Sequence, residues 1–180
     1  TAECLENILH WRDRVDLDAN TLLVRRLHNS ADFHRYWPVH RTGVDCHGHV
    51  VWCERLGKVN TTVLFSRFSL SEIISLRAQV HELMQHTALE EGARRDVLLG
   101  KHTHIVDLSG LTLLEFHKVA GAIQPLFKLL EAQYPNSLFA LFILNAPAIF
   151  RVVWRIVRLW INKETIARIN IHGPSAATSP

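Results

Sequence analysis

Cysteine is scarce in this sequence, and the few cysteines do not form a disulfide pattern. Cys4, Cys46 and Cys53 are an odd, widely spaced set among 180 residues. Such a set is a poor disulfide framework, so we expect a protein of a reducing compartment, the cytoplasm. The opening residues TAECLENILHWRDR carry charges where a secretory signal needs an apolar run, so we expect no such signal.

A large excess of either charge is also missing. The formal net charge is +3, which is too small to indicate a nucleic-acid partner. Aromatic and basic residues alternate only within 150–160, and that stretch is too apolar for RNA recognition. We therefore expect no nucleic acid among the partners.

No apolar run in the sequence suits a membrane-spanning helix. The longest apolar stretch, residues 138–161, contains Asn145, Pro147, Arg151, Arg155 and Arg158. A spanning helix needs about 20 mostly apolar residues, and a central arginine costs several kcal/mol. The stretch is still unusually apolar, and this property needs another explanation.

Motifs of catalysis and of metal binding are absent from the sequence. It has neither the G-x-S-x-G elbow of a serine nucleophile nor the G-x-x-x-x-G-K pattern of a phosphate-binding loop. Between His40 and Cys53 the histidines and cysteines lack the short ligand pairs of a zinc site. We therefore predict a protein that is not an enzyme and that holds no metal or cofactor.

Hydrophobic periodicity predicts alternating helices and strands. Helices are expected over residues 3–14, from 18–21 to 36, and over 70–91, 113–134 and 150–160. Strands are expected over 50–56, 102–108, 138–144 and 166–172, with a turn at 43–49 and a loop at 92–100. Strands without a polar face are typical of parallel sheets buried on both sides. The order predicts an α/β fold with a mostly parallel sheet.

The stretch 150–161, FRVVWRIVRLWI, predicts an amphipathic helix. Its three arginines fall at i, i+4 and i+7 on one face, opposite a broad apolar face. Tryptophan rings and guanidinium groups both suit the headgroup level of a membrane. The predicted membrane contacts are Phe150, Arg151, Trp154, Arg155, Arg158 and Trp160. The alternative is an ordinary amphipathic helix packed on the sheet.

Three segments together carry a family resemblance. They are HGHVVWCERLGKVN (47–60), HIVDLSGLTLLEF (104–116) and the long run 134–173, which contains YPNSL and the Asn-Ala-Pro after an apolar strand. The order of these motifs, their spacing and their turn residues resemble those of the CRAL-TRIO lipid-binding domain of phosphatidylinositol-transfer and retinaldehyde-binding proteins. The resemblance implies a sheet that floors an apolar lipid pocket, helices packed over it, and a gate near 150–168.

The resemblance also implies a division of the chain. Residues 36–173 are expected to form the lipid-binding domain, and residues 174–180 a linker or tail. Residues 1–35 resemble the end of the helical domain that precedes this fold, with its connecting helix. We therefore expect a fragment of a longer protein, or a module cut from one.

The family's headgroup positions transfer to five residues of this chain. Two small hydroxyl residues of relatives correspond to His102 and His104, which share one face of a strand. Arg168 matches a basic residue used for inositol phosphate, Asn136 replaces an acidic residue after Tyr-Pro, and Arg41 replaces a frequent tyrosine. Imidazole can donate to a phosphate oxygen and titrates near neutrality. The alternative is that both histidines are core residues with satisfied hydrogen bonds.

The acyl chains need only apolar volume. The pocket walls predicted from the resemblance are Trp52, Leu111, Leu113, Phe127, Phe142 and Leu144, with Ile123 and Phe150 as further candidates. The same residues suit an ordinary α/β core, because a cavity and a core look alike in sequence.

These features predict a protein that binds one lipid and exchanges or presents it at membranes. The expected ligand is a phospholipid such as phosphatidylinositol or phosphatidylcholine. The expected setting is the cytoplasm, with a monomer that meets the membrane transiently. One alternative is a regulatory module of a larger protein in which the lipid is structural. Another is a binder of a sterol, a retinoid or a tocopherol.

Overall fold

The computed structural model describes residues 2–14 and 30–174. Residues 18–29 of the predicted second helix therefore lie outside the described residues, as do residues 175–180 of the predicted tail. The domain boundaries expected from the resemblance stay a prediction.

Helices and strands alternate through most of the described chain. The helices are α1 (Ala2–Arg14), α2 (Ser30–Tyr36), α3 (Thr61–Arg67), α4 (Leu70–Arg94), α5 (Leu113–Gln133), α6 (Phe150–Val157) and α7 (Lys163–Ile166). The strands are β1 (Val39–Val44), β2 (Val50–Glu54), β3 (His102–Asp107), β4 (Leu138–Leu144) and β5 (Ile169–Ile171), and a 3-10 turn, Leu56–Lys58, follows β2.

The strands form one sheet in sequence order, from β1 to β5. The pair β1–β2 is antiparallel, and the pairs β2–β3, β3–β4 and β4–β5 are parallel. This arrangement confirms the predicted α/β fold with a mostly parallel sheet. It also shows that residues 138–161 form a strand followed by a short helix.

Three elements, β1, α3 and α7, escaped the sequence prediction. The edge strand β1, VHRTGV, has a mostly exposed surface and therefore no apolar period. Helix α3 has only seven residues, too few for a clear helical period, and Asn60 caps it by accepting from the Val63 amide at 3.1 Å. The predicted fourth strand is shorter than expected, because α7 occupies its first residue, Ile166.

The two long helices begin at reciprocal caps. The Ser69 hydroxyl accepts from the Glu72 amide, and the Glu72 carboxylate accepts from the Ser69 amide at 2.8 Å. Thr112 and Glu115 form the same box at the start of α5. These caps pair backbone donors that a helix start leaves free. They fix where α4 and α5 begin on the sheet.

The described helices contribute to core clusters on one face of the sheet only. On that face, Val50 and Trp52 of β2 pack against Val80 and Met84 of α4. Alternate residues point to the other face. There Val51, Cys53, Ile105, Phe142 and Leu144 are half-buried and belong to none of the core clusters of the described residues. Thr103, on this second face, is only 4% exposed, so the face is partly buried although no described helix packs a core cluster on it.

A polar turn ties the ends of β3 and β4 together. The Asp107 carboxylate accepts from the Ser109 amide at 2.9 Å and from the Asn145 amide nitrogen at 2.8 Å. These bonds hold the pKa of Asp107 below its usual range, although partial burial alone raises it. Because Asn145 immediately precedes the chain entering α6, the turn positions α6 over the sheet.

Candidate functional site

Two cavities lie between the covered face of the sheet and the helices. One, of about 150 Å³, is almost wholly apolar. Its walls come from β2 to β5 and from α4, α5 and α6, and include Val106, Leu111, Phe116, Phe127, Ile143, Phe150, Val153, Trp154 and Val157. The other, of about 160 Å³, is more polar and is lined by His102, Glu131, Tyr134, Asn136, Ser137, Asn162, Glu164, Thr165 and Arg168, among others.

The two cavities adjoin. His81, His104, Phe127, Leu130, Leu141, Ile161 and Ile169 line both of them. Together the two cavities form an amphipathic recess with a polar end and an apolar end, and the shared residues lie between the ends. Such a recess suits a ligand with a polar head and a hydrocarbon tail.

A fixed guanidinium stands at the polar end. Arg168 donates from Nη1 to the Leu138 carbonyl at 2.7 Å and from Nη2 to Oδ1 of Asn136 at 3.2 Å. Asn136 has φ of +61°, a conformation that asparagine adopts more readily than most residues. The structure thus brings together two of the predicted headgroup residues. A guanidinium with further donors suits a phosphate group.

Histidines form the boundary between the two ends. The His102 ring lies 6.0 Å from the His104 ring and 6.4 Å from the His81 ring, measured between centroids. Burial, with Arg77 nearby, lowers the pKa of His81 to about 3, and its Nδ1 lies 3.1 Å from the Arg77 carbonyl. Burial, with His104 and His81 beside it, also lowers the pKa of His102 well below its usual value. His81 and His102 are therefore uncharged at neutral pH.

A buried ion pair, which the sequence analysis did not predict, lies beside this boundary. Glu54 accepts from Arg77 Nη2 at 2.9 Å and from Trp37 Nε1 at 2.5 Å, and its Oε2 lies 3.2 Å from Nε2 of His104. Burial alone raises the pKa of Glu54, but Arg77, His104 and Trp37 together hold it well below the usual range. A signal existed, because Arg77 interrupts the apolar stripe of α4 and Glu54 shares a strand face with Val50 and Trp52.

The predicted wall residues divide between the cavity and other places. Leu111, Phe127, Ile123 and Phe150 line the apolar cavity. Trp52 lies in the core between β2 and α4 and lines neither cavity. Leu113 is 50% exposed at the start of α5. For Trp52 and Leu113 the prediction is therefore corrected.

Phe142 and Leu144 also fall outside the two cavities. They alternate with Leu141 and Ile143, which line the apolar cavity, so they point to the opposite face of the sheet. The β4 run is apolar at every position, and its composition alone therefore does not say which residues face inward. The prediction for these two residues is corrected for this reason.

Arg41 lies away from both cavities. It stands on the edge strand β1 and donates from Nη2 to the Glu91 carboxylate at 3.0 Å. The prediction that it reaches the headgroup is therefore corrected. An edge strand paired on the far side of β2 does not bring its side chains to the recess.

Helix α6 covers the apolar cavity with its predicted apolar face. Phe150 and Val153 face inward, and the Trp154 ring stacks on Phe150 with centroids 6.3 Å apart. Trp160, beyond the helix end, is half-buried against the same core cluster. The membrane contacts predicted for Phe150, Trp154 and Trp160 are thus corrected, because these side chains turn toward the protein. A 3.6-residue period puts 150, 153, 154 and 157 on one side.

Arginines and aliphatic residues share the outer surface of this segment. Arg151, Arg155 and Arg158 are exposed, as are Val152, Ile156 and Leu159. Leu159 is 78% exposed. The outer surface therefore presents cations beside apolar groups. Val152, Ile156 and Leu159 were not among the membrane contacts predicted from the sequence.

The described residues contain neither a membrane-spanning helix nor a metal site. No helix among them is long and apolar enough to cross a membrane. Residues 2–14 and 30–174 also contain no group of three or more His, Cys, Asp or Glu side chains placed to hold a metal ion.

The comparison with known families decides the identification. The profile of the CRAL/TRIO domain matches residues 34–179. The chain belongs to the CRAL/TRIO domain family. The resemblance seen in the three sequence segments is thereby confirmed.

Curated relatives of this CRAL/TRIO domain carry transfer-protein names. The chain is 30% identical over 172 residues to the phosphatidylinositol/phosphatidylcholine transfer protein SFH4 of Arabidopsis thaliana, covering 93% of this chain and 28% of that protein. It is 28% identical to SFH12 of the same plant, covering 96% and 32%. The chain thus spans about a third of the length of these relatives. Their names are not those of enzymes, in agreement with the prediction.

A solved structure shares the fold. The crystal structure of Sfh5 superimposes with a TM-score of 0.75 at 16% identity, covering 94% of this CRAL/TRIO domain chain and 57% of that one. At this identity the similarity shows the fold alone.

Proposed function

We propose that this CRAL/TRIO domain binds one glycerophospholipid, phosphatidylinositol or phosphatidylcholine, and exchanges it at a membrane surface. The observation that carries the proposal is the recess whose polar end holds Arg168 and whose apolar end lies under α6. The names of the plant relatives supply the ligand class. The proposal includes a monomer in the cytoplasm that meets the membrane only transiently.

Exchange requires α6 to move. A cavity of about 150 Å³ accommodates a group of roughly the size of a benzene ring, far less than two acyl chains. Displacing Phe150, Val153 and Trp154 would join the cavity to the outside. Acyl chains would repay this exposure, because burial gains about 0.8 kcal/mol per methylene.

The outer surface of α6 is the part that would meet the membrane. Leu159 and Ile156 can enter the headgroup region while Arg155 and Arg158 meet anionic phosphates. Arginine near an anionic surface contributes about 1 kcal/mol of attraction per residue. The surface therefore combines the two forces that hold a peripheral protein on a bilayer.

Lipid recovery tests the function itself. The purified chain should release phosphatidylinositol or phosphatidylcholine on extraction, identified by mass spectrometry, and should move labelled phosphatidylcholine between vesicles. A chain that carries no lipid and moves none would contradict the proposal. Recovery of a sterol, a retinoid or a tocopherol would contradict the phospholipid assignment.

Replacement of Arg168 by Met tests the headgroup end. We expect phospholipid affinity to fall about tenfold, because one charge-assisted contact to phosphate is lost. Competition against a fluorescent phosphatidylcholine measures the affinity. Arg67→Met is the matched control, since Arg67 lies on α3 with an exposed ion pair to Asp32 at 3.6 Å. Equal loss in both variants would exclude a specific role for Arg168.

Replacement of Ile156 and Leu159 by Ser tests the membrane surface. We expect transfer between vesicles to slow about tenfold or more, because about 2 kcal/mol of apolar contact with the bilayer is removed. The bound lipid should be retained, since neither side chain lines the recess. The control replaces Leu83 and Leu89 on α4, which are 52% and 53% exposed. Unchanged transfer in the first variant would contradict the proposed surface.

A further inference from the structure

A buried arginine with unpaired hydrogen-bond donors lies in the wall of the apolar cavity. Arg77 is 3% exposed and is one of the residues that line this cavity. Its Nη2 donates to Glu54, and its Cζ lies 4.7 Å from the centroid of the Trp37 ring. Its Nε and Nη1 are buried and meet no hydrogen-bond acceptor. Buried polar groups are nearly always paired, so this geometry points to an acceptor that arrives with a ligand.

The charge balance fixes the kind of acceptor. The Glu54 carboxylate, 2.9 Å from Arg77, already neutralises the guanidinium. A second anion here would be repelled by that carboxylate in a medium of low dielectric constant. An uncharged oxygen would accept a charge-assisted bond without this repulsion.

The order of groups along the recess identifies the source of that oxygen. Arg168 lines only the polar cavity, His81 and His104 line both cavities, and Arg77 lines only the apolar one. A glycerophospholipid has the same sequence of chemistry, with the phosphate first, the acyl ester carbonyls next and the hydrocarbon last. Arg77 therefore stands where the esters fall when the phosphate lies at Arg168.

We propose that Arg77 donates a hydrogen bond from Nε or Nη1 to an acyl ester carbonyl of the bound glycerophospholipid. Glu54 and Trp37 hold the guanidinium in place for this contact. The inference rests on the proposed function, namely that the apolar cavity receives the chains of a phospholipid. It assigns the chain a preference for ester-linked over ether-linked lipids, because an ether has no carbonyl.

Two phosphatidylcholines that differ only in linkage test this assignment. The diacyl and dialkyl forms, with chains of equal length, compete separately against a fluorescent phosphatidylcholine on the unaltered chain. The diacyl form should bind about tenfold more tightly, as expected for one hydrogen bond from a charged donor. The double variant Glu54→Gln/Arg77→Met removes both charges together and should bind the two lipids equally.

The controls separate this inference from the proposed function. Arg168→Met should weaken the binding of both lipids and keep the ratio of their affinities, because in the proposed complex Arg168 contacts the phosphate that both lipids carry. Equal binding of the two lipids by the unaltered chain would overturn the role of Arg77 and leave phospholipid binding intact. Failure to bind either lipid would overturn the proposed function and the inference with it. The ratio of the diacyl to the dialkyl affinity of the unaltered chain tests the role of Arg77 even if the double variant does not fold.

Discussion

Replacement of Glu54 by Gln is expected to lower the free energy of unfolding by about 3–5 kcal/mol. Glu54 is 4% exposed, and its carboxylate is the counter-charge of a guanidinium that is equally buried. Glutamine keeps an oxygen for Trp37 Nε1 but places an amide nitrogen where the carboxylate accepted from Arg77 Nη2, so the change removes the charge and that hydrogen bond. The cost arises because Arg77 is left charged in an apolar environment. Urea denaturation followed by tryptophan fluorescence measures it.

The double variant Glu54→Gln/Arg77→Met should recover most of that loss. Replacing a buried ion pair by uncharged groups of similar volume is often neutral, because the desolvation cost of both charges disappears. The matched surface control is Glu90→Gln, whose exposed pair with His86 at 3.4 Å should contribute less than about 1 kcal/mol. A double variant as unstable as the single one would show that the ion pair does not couple these residues.

Acidification from pH 7 to pH 5 is expected to lower the free energy of unfolding by about 2 kcal/mol through His81 alone. The pKa of His81 falls from 6.5 in the unfolded chain to about 3 in the folded one, because burial and Arg77 disfavour the charged ring. Its stabilisation is present above pH 6.5 and is lost as pH falls from 6.5 toward 3, since only the unfolded state takes up the proton. His102, with a pKa lowered in the same direction, adds to the effect.

The variant His81→Gln isolates this contribution. Its stability at pH 7 will differ from that of the unaltered chain, but the change between pH 7 and pH 5 should shrink by about 2 kcal/mol. An identical pH dependence in the His81 variant would show that this ring is accessible to protons in the folded chain.

The order of elements could be predicted from local patterns. The helices over 70–91 and 113–134 and the apolar strands each depend on residues close together in sequence, and the structure confirms them. The edge strand β1 escaped prediction because an exposed strand has no apolar face to select. Helix α3 escaped because seven residues make only about two turns.

The site was predicted only in part, for a different reason. Arg168 and Asn136 were found because the family resemblance marks their positions. Phe142 and Leu144 were misplaced because β4 is apolar throughout, so register alone decides which residues face the cavity. The pair Glu54–Arg77 was missed because its members are 23 positions apart and only packing brings them together.

The sequence by itself determined the fold class, the family, the absence of catalytic motifs and the amphipathic character of residues 150–161, because composition, period and motif spacing are properties of short segments. Only the tertiary structure decided which face of the sheet holds the recess and that the tryptophans of α6 and its following turn face inward. It alone showed that Arg77, with unpaired hydrogen-bond donors, lies in the wall of the apolar cavity. These facts depend on strand register and on the packing of distant residues, which no local pattern encodes.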